Sequence, residues 1–299
     1  MTLITQILNL FYQFRLFVGD VRKLIFAILM CVPFALFAQN AEIYRLTTSD
    51  WQVGLARTAV KDPYLSPLQY NGSGVTANFN DKRFFLKNSE KFISTSNLSV
   101  FYANLLNPSK TAAMQYFGIN VNYGVHYKFL IKKNFSVLTG TSADIDFGFK
   151  YLARNSNNPF NMDFAANLNL SVAAMLKIPL WRRVFQLELN ARTPILGAMF
   201  APQKGASYYE MGTFDGGMSN VFHFSNLANK NGLRTNLVFD IPLNRITISL
   251  SGNAEFLKFK ANNAVYSRSL CGFGIGFKYS FITFAGRKKL PPENFRSTE

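Results

Sequence analysis

The chain has 299 residues, with 31 Phe and 13 Tyr, and its 32 basic and 16 acidic side chains give a net charge of +16. That length suits one β-barrel or two small soluble domains. Lys and Arg are scattered along the chain instead of gathered on one face or helix, so the charge does not describe a nucleic-acid partner, and soluble loops or the phosphates of an anionic membrane surface account for it.

At the N-terminus Arg22-Lys23 precedes the apolar run LIFAILMCVPFALFA, which ends in Ala38 followed by Gln39. A basic start, an apolar segment of this length and a small-residue end describe a secretory signal peptide, with cleavage expected after Ala38. Ile28, Leu29 and Met30 are too large for the approach to a lipoprotein cysteine at Cys31. Residues 1–20 exceed an ordinary leader and are read as a misplaced start, with Val21 as the true first codon; the alternative is a real extension or anchor. Removing residues 1–38 takes away three cations and one anion, leaving +14, and leaves Cys271 as the one thiol, so a Cys-based disulfide or metal cluster within the chain is not expected.

Residues 51–58 alternate weakly and are read as a first strand; KDPYLSPLQYNGSG, residues 61–74, is rich in Pro, Gly and Asn and reads as a loop. Strands follow at 74–86 and 91–106. Residues 115–131 alternate most fully, with Phe117, Ile119, Val121, Tyr123, Val125, Tyr127 and Phe129 on one face and Gly118, Asn120, Asn122, Gly124, His126 and Lys128 on the other. This run exceeds a typical globular strand of about 5–6 residues. It is long enough for a membrane strand, which needs roughly 9–11 residues. Further strands are predicted at 135–154, 160–180, 183–200, 232–243, 245–258 and 267–284. Short turns at 132–134, 181–182 and 242–244 alternate with longer loops, the longest at 201–231. Short periplasmic turns and long external loops are the habit of outer-membrane barrels. The fold expected is an all-β, transmembrane, antiparallel up-and-down β-barrel of about ten strands, with eight to twelve left open. It occupies residues 39–285 and is followed by a periplasmic polar tail at 286–299. A secreted β-sandwich is the competing fold, but its strands would be shorter.

The stretch Gly276-Phe277-Lys278-Tyr279-Ser280-Phe281 resembles the terminal assembly signal of bacterial outer-membrane barrels, carried by Gly276, Tyr279 and Phe281, although here a tail follows it. The leader ending in Ala-Gln, Tyr-Leu-Ser-Pro-Leu at 64–68 and Leu-Arg-Thr-Asn-Leu-Val-Phe-Asp-Ile-Pro at 233–242 resemble an uncharacterised Bacteroidetes family of outer-membrane proteins. The resemblance implies the outer-membrane location and the fold and brings no activity with it. The partners expected of such a barrel are outer-membrane lipid and lipopolysaccharide, the barrel-assembly machinery and an unidentified protein.

By parity the lumen receives His126, Lys128, Asp144, Asp146, Lys150, Asp163, Glu188, Arg192, Arg234, Asp240, Arg245, Glu255 and Lys278. A narrow barrel is expected to fill with them through ion pairs and hydrogen bonds, and a small passive pore is the alternative. Two catalytic patterns are weighed against that structural reading. Asp144-x-Asp146 is similar to the paired carboxylates of omptin-type proteases, but neither His126 nor His223 has the Asp two residues before it that those enzymes carry. His223-Phe224-Ser225-Asn226 resembles the His-x-Ser-Asn stretch of outer-membrane lipid A deacylases, making His223 and Ser225 candidates for ester hydrolysis, without an evident orienting acid. No phosphate loop, zinc pattern or nucleotide fingerprint is present, so no cofactor or metal is expected, and the chain reads as a structural or interaction protein without catalysis.

Overall fold

The computed structural model describes residues 44–86, 89–156, 158–180, 183–203, 221–243 and 246–281, together with 295, 296 and 298. The expected signal peptide and residues 39–43, all of 204–220 and much of the expected polar tail lie outside them. The described residues contain no helix.

Ten strands form one closed antiparallel barrel. They are β1 (Thr47–Lys61), β2 (Gln69–Phe84), β3 (Phe92–Leu106), β4 (Ala113–Lys132), β5 (Phe135–Leu152), β6 (Phe160–Leu180), β7 (Arg183–Phe200), β8 (Lys230–Pro242), β9 (Thr247–Ala261) and β10 (Ala264–Phe281). Each pairs with the next, and β10 closes on β1, with Phe281 opposite Thr47 and Ser267 opposite Lys61. The strands run 13 to 21 residues, longer than soluble strands and long enough to cross a bilayer at a tilt. A single sheet closed on itself replaces the sandwich alternative, because among the described residues the one other sheet is the two-residue pairing of Tyr44–Arg45 with Phe295–Arg296, too small to cover an apolar face.

The weak alternation at 51–58 belongs to a full 15-residue strand. Its inward positions carry Gly54 and Ala56 beside Gln52 and Thr58, so small residues blunt the pattern without breaking the pairing. Two expected loops are shorter than the sequence suggests. The β1–β2 connection shrinks to residues 62–68, and β9 and β10 meet through Asn262 and Asn263 alone. Both asparagines have positive φ (48° and 56°), the two-residue hairpin geometry that Asn tolerates. The 201–231 loop contributes a short strand, Phe222–Asn226, which pairs with Leu196–Phe200 of β7. Pro194 marks this change of partner. It has no N–H to give, and the pairing of β7 with β8 ends next to it at Arg192–Arg234.

The strand directions place the connections around 133–134, 181–182 and 243–246 on the same rim as the start of β1 and the end of β10. We call this the terminal rim; the ends of β1, β3, β5 and β7, with the described residues 62–68, 107–112, 153–156 and 221–229, lie at the opposite, loop rim. The outer wall is apolar: Phe273 is 84% exposed and Leu55 71%, and Ile275, Val121 and Ile145 join them. Aromatic rings gather near the terminal rim, where Trp51 meets Phe79 edge-on at 4.9 Å and Tyr279 lies 5.5 Å from Phe281. The interior is the reverse, with Gln52, Asp144, Glu188, Lys230 and Asp240 buried. Water-soluble folds bury their apolar face, so this inversion points to a lipid solvent.

Close strand approach is met by glycine. A Cβ at Gly276 would lie 2.1 Å from the Trp51 carbonyl oxygen across the β10–β1 seam. At Gly118 a Cβ would lie 2.3 Å from the Phe101 ring, which fills the lumen instead. Near the C-terminus Phe295–Arg296 pairs in parallel with Tyr44–Arg45, and Lys128 Nζ donates to the Thr298 carbonyl at 2.9 Å.

Candidate functional site

Strand parity aims alternate polar side chains at the axis, and the barrel brings them together in three storeys. Nearest the loop rim, the 62–68 connection turns inward. Leu65 and Ser66 N–H groups donate to the Asp62 carbonyl (3.1 and 2.9 Å), and the Tyr64 N–H to Asp62 Oδ1 (3.1 Å). Asp62 Oδ2 accepts from Lys150 Nζ (2.8 Å) and from Asn161 Nδ2 (2.7 Å). Lys150 also reaches Asp163 Oδ1 at 2.7 Å. Tyr64 and Leu65 pack with Val60, Tyr70, Leu105, Met114 and Leu152 in an apolar cluster inside this end of the barrel. Asp62, Tyr64 and Leu65 of this connection therefore form a stopper, fixed by a buried ion pair and by apolar burial.

The middle storey is a charge-assisted layer. Arg234 donates to Asp144 (2.9 Å), to both oxygens of Asp146 (2.7 Å each) and to Glu255 (3.0 Å). Arg268 binds Glu255 at 2.5 Å and donates to the Tyr116 hydroxyl at 2.6 Å. That hydroxyl donates on to Asp163 (2.5 Å), which ties this layer to the stopper. Amides complete the carboxylates: Asn167 and Asn169 donate to Asp144 (2.6 and 2.9 Å), and Asn120 to Asp146 (3.0 Å). Lys230 donates to Asn167 Oδ1 at 2.6 Å. Buried charges are tolerated when paired and hydrogen-bonded in this way.

Towards the terminal rim, Lys82 pairs with Glu188 and Lys278 with Asp240, and Asn190 donates to Glu188 at 2.8 Å. His126 Nε2 lies 2.9 Å from Ser171 Oγ, and among the described residues no carboxylate is hydrogen-bonded to its Nδ1. Lys128 stands nearer the rim, and Arg245 lies outside the described residues. Between the middle storey and this end is a chamber of about 160 Å³.

His223 and Ser225 share one face of the short strand at the loop rim, opposite Met199 and Gly197. Ser225 is 1% exposed, and His223 Nε2 is buried without a hydrogen-bond partner, so this nitrogen does not take the Ser225 proton in the observed geometry. Glu255 is engaged by both arginines and is not available as their acid. Gly276 faces the lumen wall, and Tyr279 and Phe281 stand on the outer face near the terminal rim.

Sequence reasoning missed Arg268, Tyr116, Asp62 and Lys82. Tyr116 and Lys82 have inward parity and could have been found by it; an aromatic is read by habit as lipid-facing. Arg268 falls at the start of the strand predicted at 267–284 and also has inward parity, whereas Asp62 lies in a true loop, where parity has no meaning.

No curated protein sequence matches the chain. Among solved structures, the outer membrane protease OmpT of Escherichia coli is similar with a TM-score of 0.47 at 8% identity, covering 79% of this chain and 97% of that one. The transport unit of the Escherichia coli autotransporter AIDA-I gives 0.42 at 10% identity, over 86% and 97%. The β domain of the Bordetella autotransporter BrkA gives 0.40 at 11%, over 79% and 100%. At these values none of them assigns an activity here. The family model described as "Protein of unknown function (DUF3316)" matches residues 22–288, and the chain belongs to that family.

Proposed function

We propose that the protein is an integral outer-membrane barrel of structural or interaction type, sealed against conduction and without catalysis. The observation that carries this reading is the double closure of the lumen. The Asp62 stopper fills the loop end, and the Arg234–Arg268 carboxylate layer spans the bore behind it. An open channel belongs to barrels of about 16 strands or more, and ten strands leave an interior that side chains can fill.

The apolar outer wall and the aromatic rings near the terminal rim support lipid and lipopolysaccharide as its surroundings. The leader ending at Ala38 supports export to the envelope, and Gly276, Tyr279 and Phe281 support recognition by the barrel-assembly machinery; the Bacteroidetes-like stretches support an origin in that group. With the lumen sealed, the surfaces left for a protein partner are the loop rim and the terminal rim. The test is reconstitution of the purified full-length protein into planar bilayers. The sealed barrel predicts a baseline without discrete steps, and reproducible unitary conductance would overturn it.

A further inference from the structure

The chamber between the arginine layer and the terminal rim holds a feature that a purely structural filling leaves unused. Its lining runs from Arg234, Arg268 and Leu270 down to Thr48, Lys82 and Lys278, which lie within three residues of their strand ends. At 10–15 Å³ per water, its volume of about 160 Å³ has room for about ten water molecules, or for one small organic ligand.

Most charges on this lining cancel locally, through Lys82–Glu188, Lys278–Asp240 and the three carboxylates around Arg234 and Arg268. Arg192 does not. Its Nη2 donates to the amide oxygens of Asn120 (2.7 Å) and Asn97 (3.4 Å), and among the described residues no carboxylate stands within 4.0 Å of it. A guanidinium offers five N–H donors in a planar fork suited to a carboxylate. On the same lining stands Asp50, 6% exposed. Its Oδ2 accepts from Gln52 (2.5 Å), and its Oδ1 is buried without a partner. The Asn236 Oδ1, another acceptor on this lining, is also unpartnered. Asp81, held by Ser49, adds a second negative group toward the rim. The chamber thus presents one fork of donors with no carboxylate in contact and a set of acceptor atoms without a hydrogen bond, Asp50 lying across the β10–β1 pairing from Lys278, which is bonded to Asp240.

We propose that the chamber binds a small zwitterion of the α-amino acid or short-peptide class, its carboxylate on Arg192 and its ammonium on Asp50 with help from Asn236. The ligand enters from the terminal rim, past the Lys128–Thr298 contact, because the other end is closed by the Asp62 stopper. A simple anion would satisfy Arg192 but stand against Asp50 and Asp81, and a simple cation would leave Arg192 uncompensated. A zwitterion answers both. This goes beyond the sealed-barrel reading and has a separate readout, since binding is measured without a membrane potential.

The experiment is calorimetric titration of the full-length protein in lipid nanodiscs with L-alanine, L-lysine and glycylglycine, each alone, and with acetate and methylammonium as single-charge controls. At least one zwitterion is expected to bind saturably, with both controls at least about tenfold weaker, the scale of one lost charge-assisted contact. Arg192→Gln and the isosteric Asp50→Asn should each weaken that binding at least about tenfold for the same reason; should the first not fold, the second decides. Absence of saturable binding by all three zwitterions, binding of acetate as tight as theirs, or binding undiminished in these variants would overturn the proposal.

Discussion

Replacing Arg234 by Met is the sharpest probe of the middle storey. The guanidinium touches three carboxylates: Asp144, Asp146 and Glu255. Met keeps much of the side chain's length and removes every donor. Glu255 retains Arg268 at 2.5 Å, and Asp144 retains the amides of Asn167 and Asn169. Asp146 keeps only Arg268 at 3.5 Å together with Asn120 and Asn167. Two of the three carboxylates therefore lose their closest cation while remaining buried. Removing one partner of a buried pair costs about 3–5 kcal/mol, because the other charge stays behind without compensation. In a domain of this size each kcal/mol moves the melting temperature by about 2–4 °C, so a loss of about 4 kcal/mol corresponds to about 8–16 °C. The assay is loss of the heat-modifiable band in gels, or urea titration of the protein in nanodiscs. The triple variant Arg234→Met, Asp144→Asn, Asp146→Asn removes the stranded charges together with their cation and should recover most of the loss. If the single variant melts within about 1 kcal/mol of the parent, or if the triple variant is worse than the single, the layer is not an interdependent network of paired charges.

Asp62→Ala strands Lys150 against Asp163 alone and frees the stopper, so limited proteolysis should cut within 62–68 faster than in the parent, and equal cleavage rates would contradict the Asp62 anchor. Gly276→Val places a side chain where a Cβ already meets the Trp51 carbonyl, so the β10–β1 seam should fail to close and the folded band should disappear; normal folding would remove the close-approach argument. Ser225→Ala should leave the acyl composition of lipid A unchanged on overexpression, read by mass spectrometry. A lost deacylation in the variant relative to an active parent would establish the catalytic reading of His223 and Ser225.

Period-two alternation made the barrel and much of its interior legible. Asp144 and Asp146 point inward because Ile145 and Phe147 point to lipid, and the same reasoning reaches Arg234 through Leu233 and Glu255 through Phe256. The sequence does not say which of these groups meet. Lys82 pairs with Glu188 from a strand five places away around the barrel, a contact set by the width of the bore and not by any pattern along the chain. Asp62 was hidden for another reason. Its loop looked like polar punctuation with two prolines, yet Tyr64 and Leu65 fold it into the bore, where burial in an apolar cluster outweighs the loop's composition. The strands predicted at 245–258 and 267–284 stop short of the asparagine pair at 262–263, because the inward Phe259 and Tyr266, stacked at 4.8 Å, break the apolar-out, polar-in alternation there.

A nitroxide scan along residues 270–279 of β10, with the protein in lipid bilayers and Cys271 as the first site, tests the inside-out barrel most directly. Oxygen, which concentrates in lipid, should relax labels at 271, 273, 275 and 277 strongly and those at 270, 272, 274 and 276 weakly, in a period of two. Uniform protection along the strand, or strong access at the even positions instead, would contradict a closed barrel with lipid on its outer face.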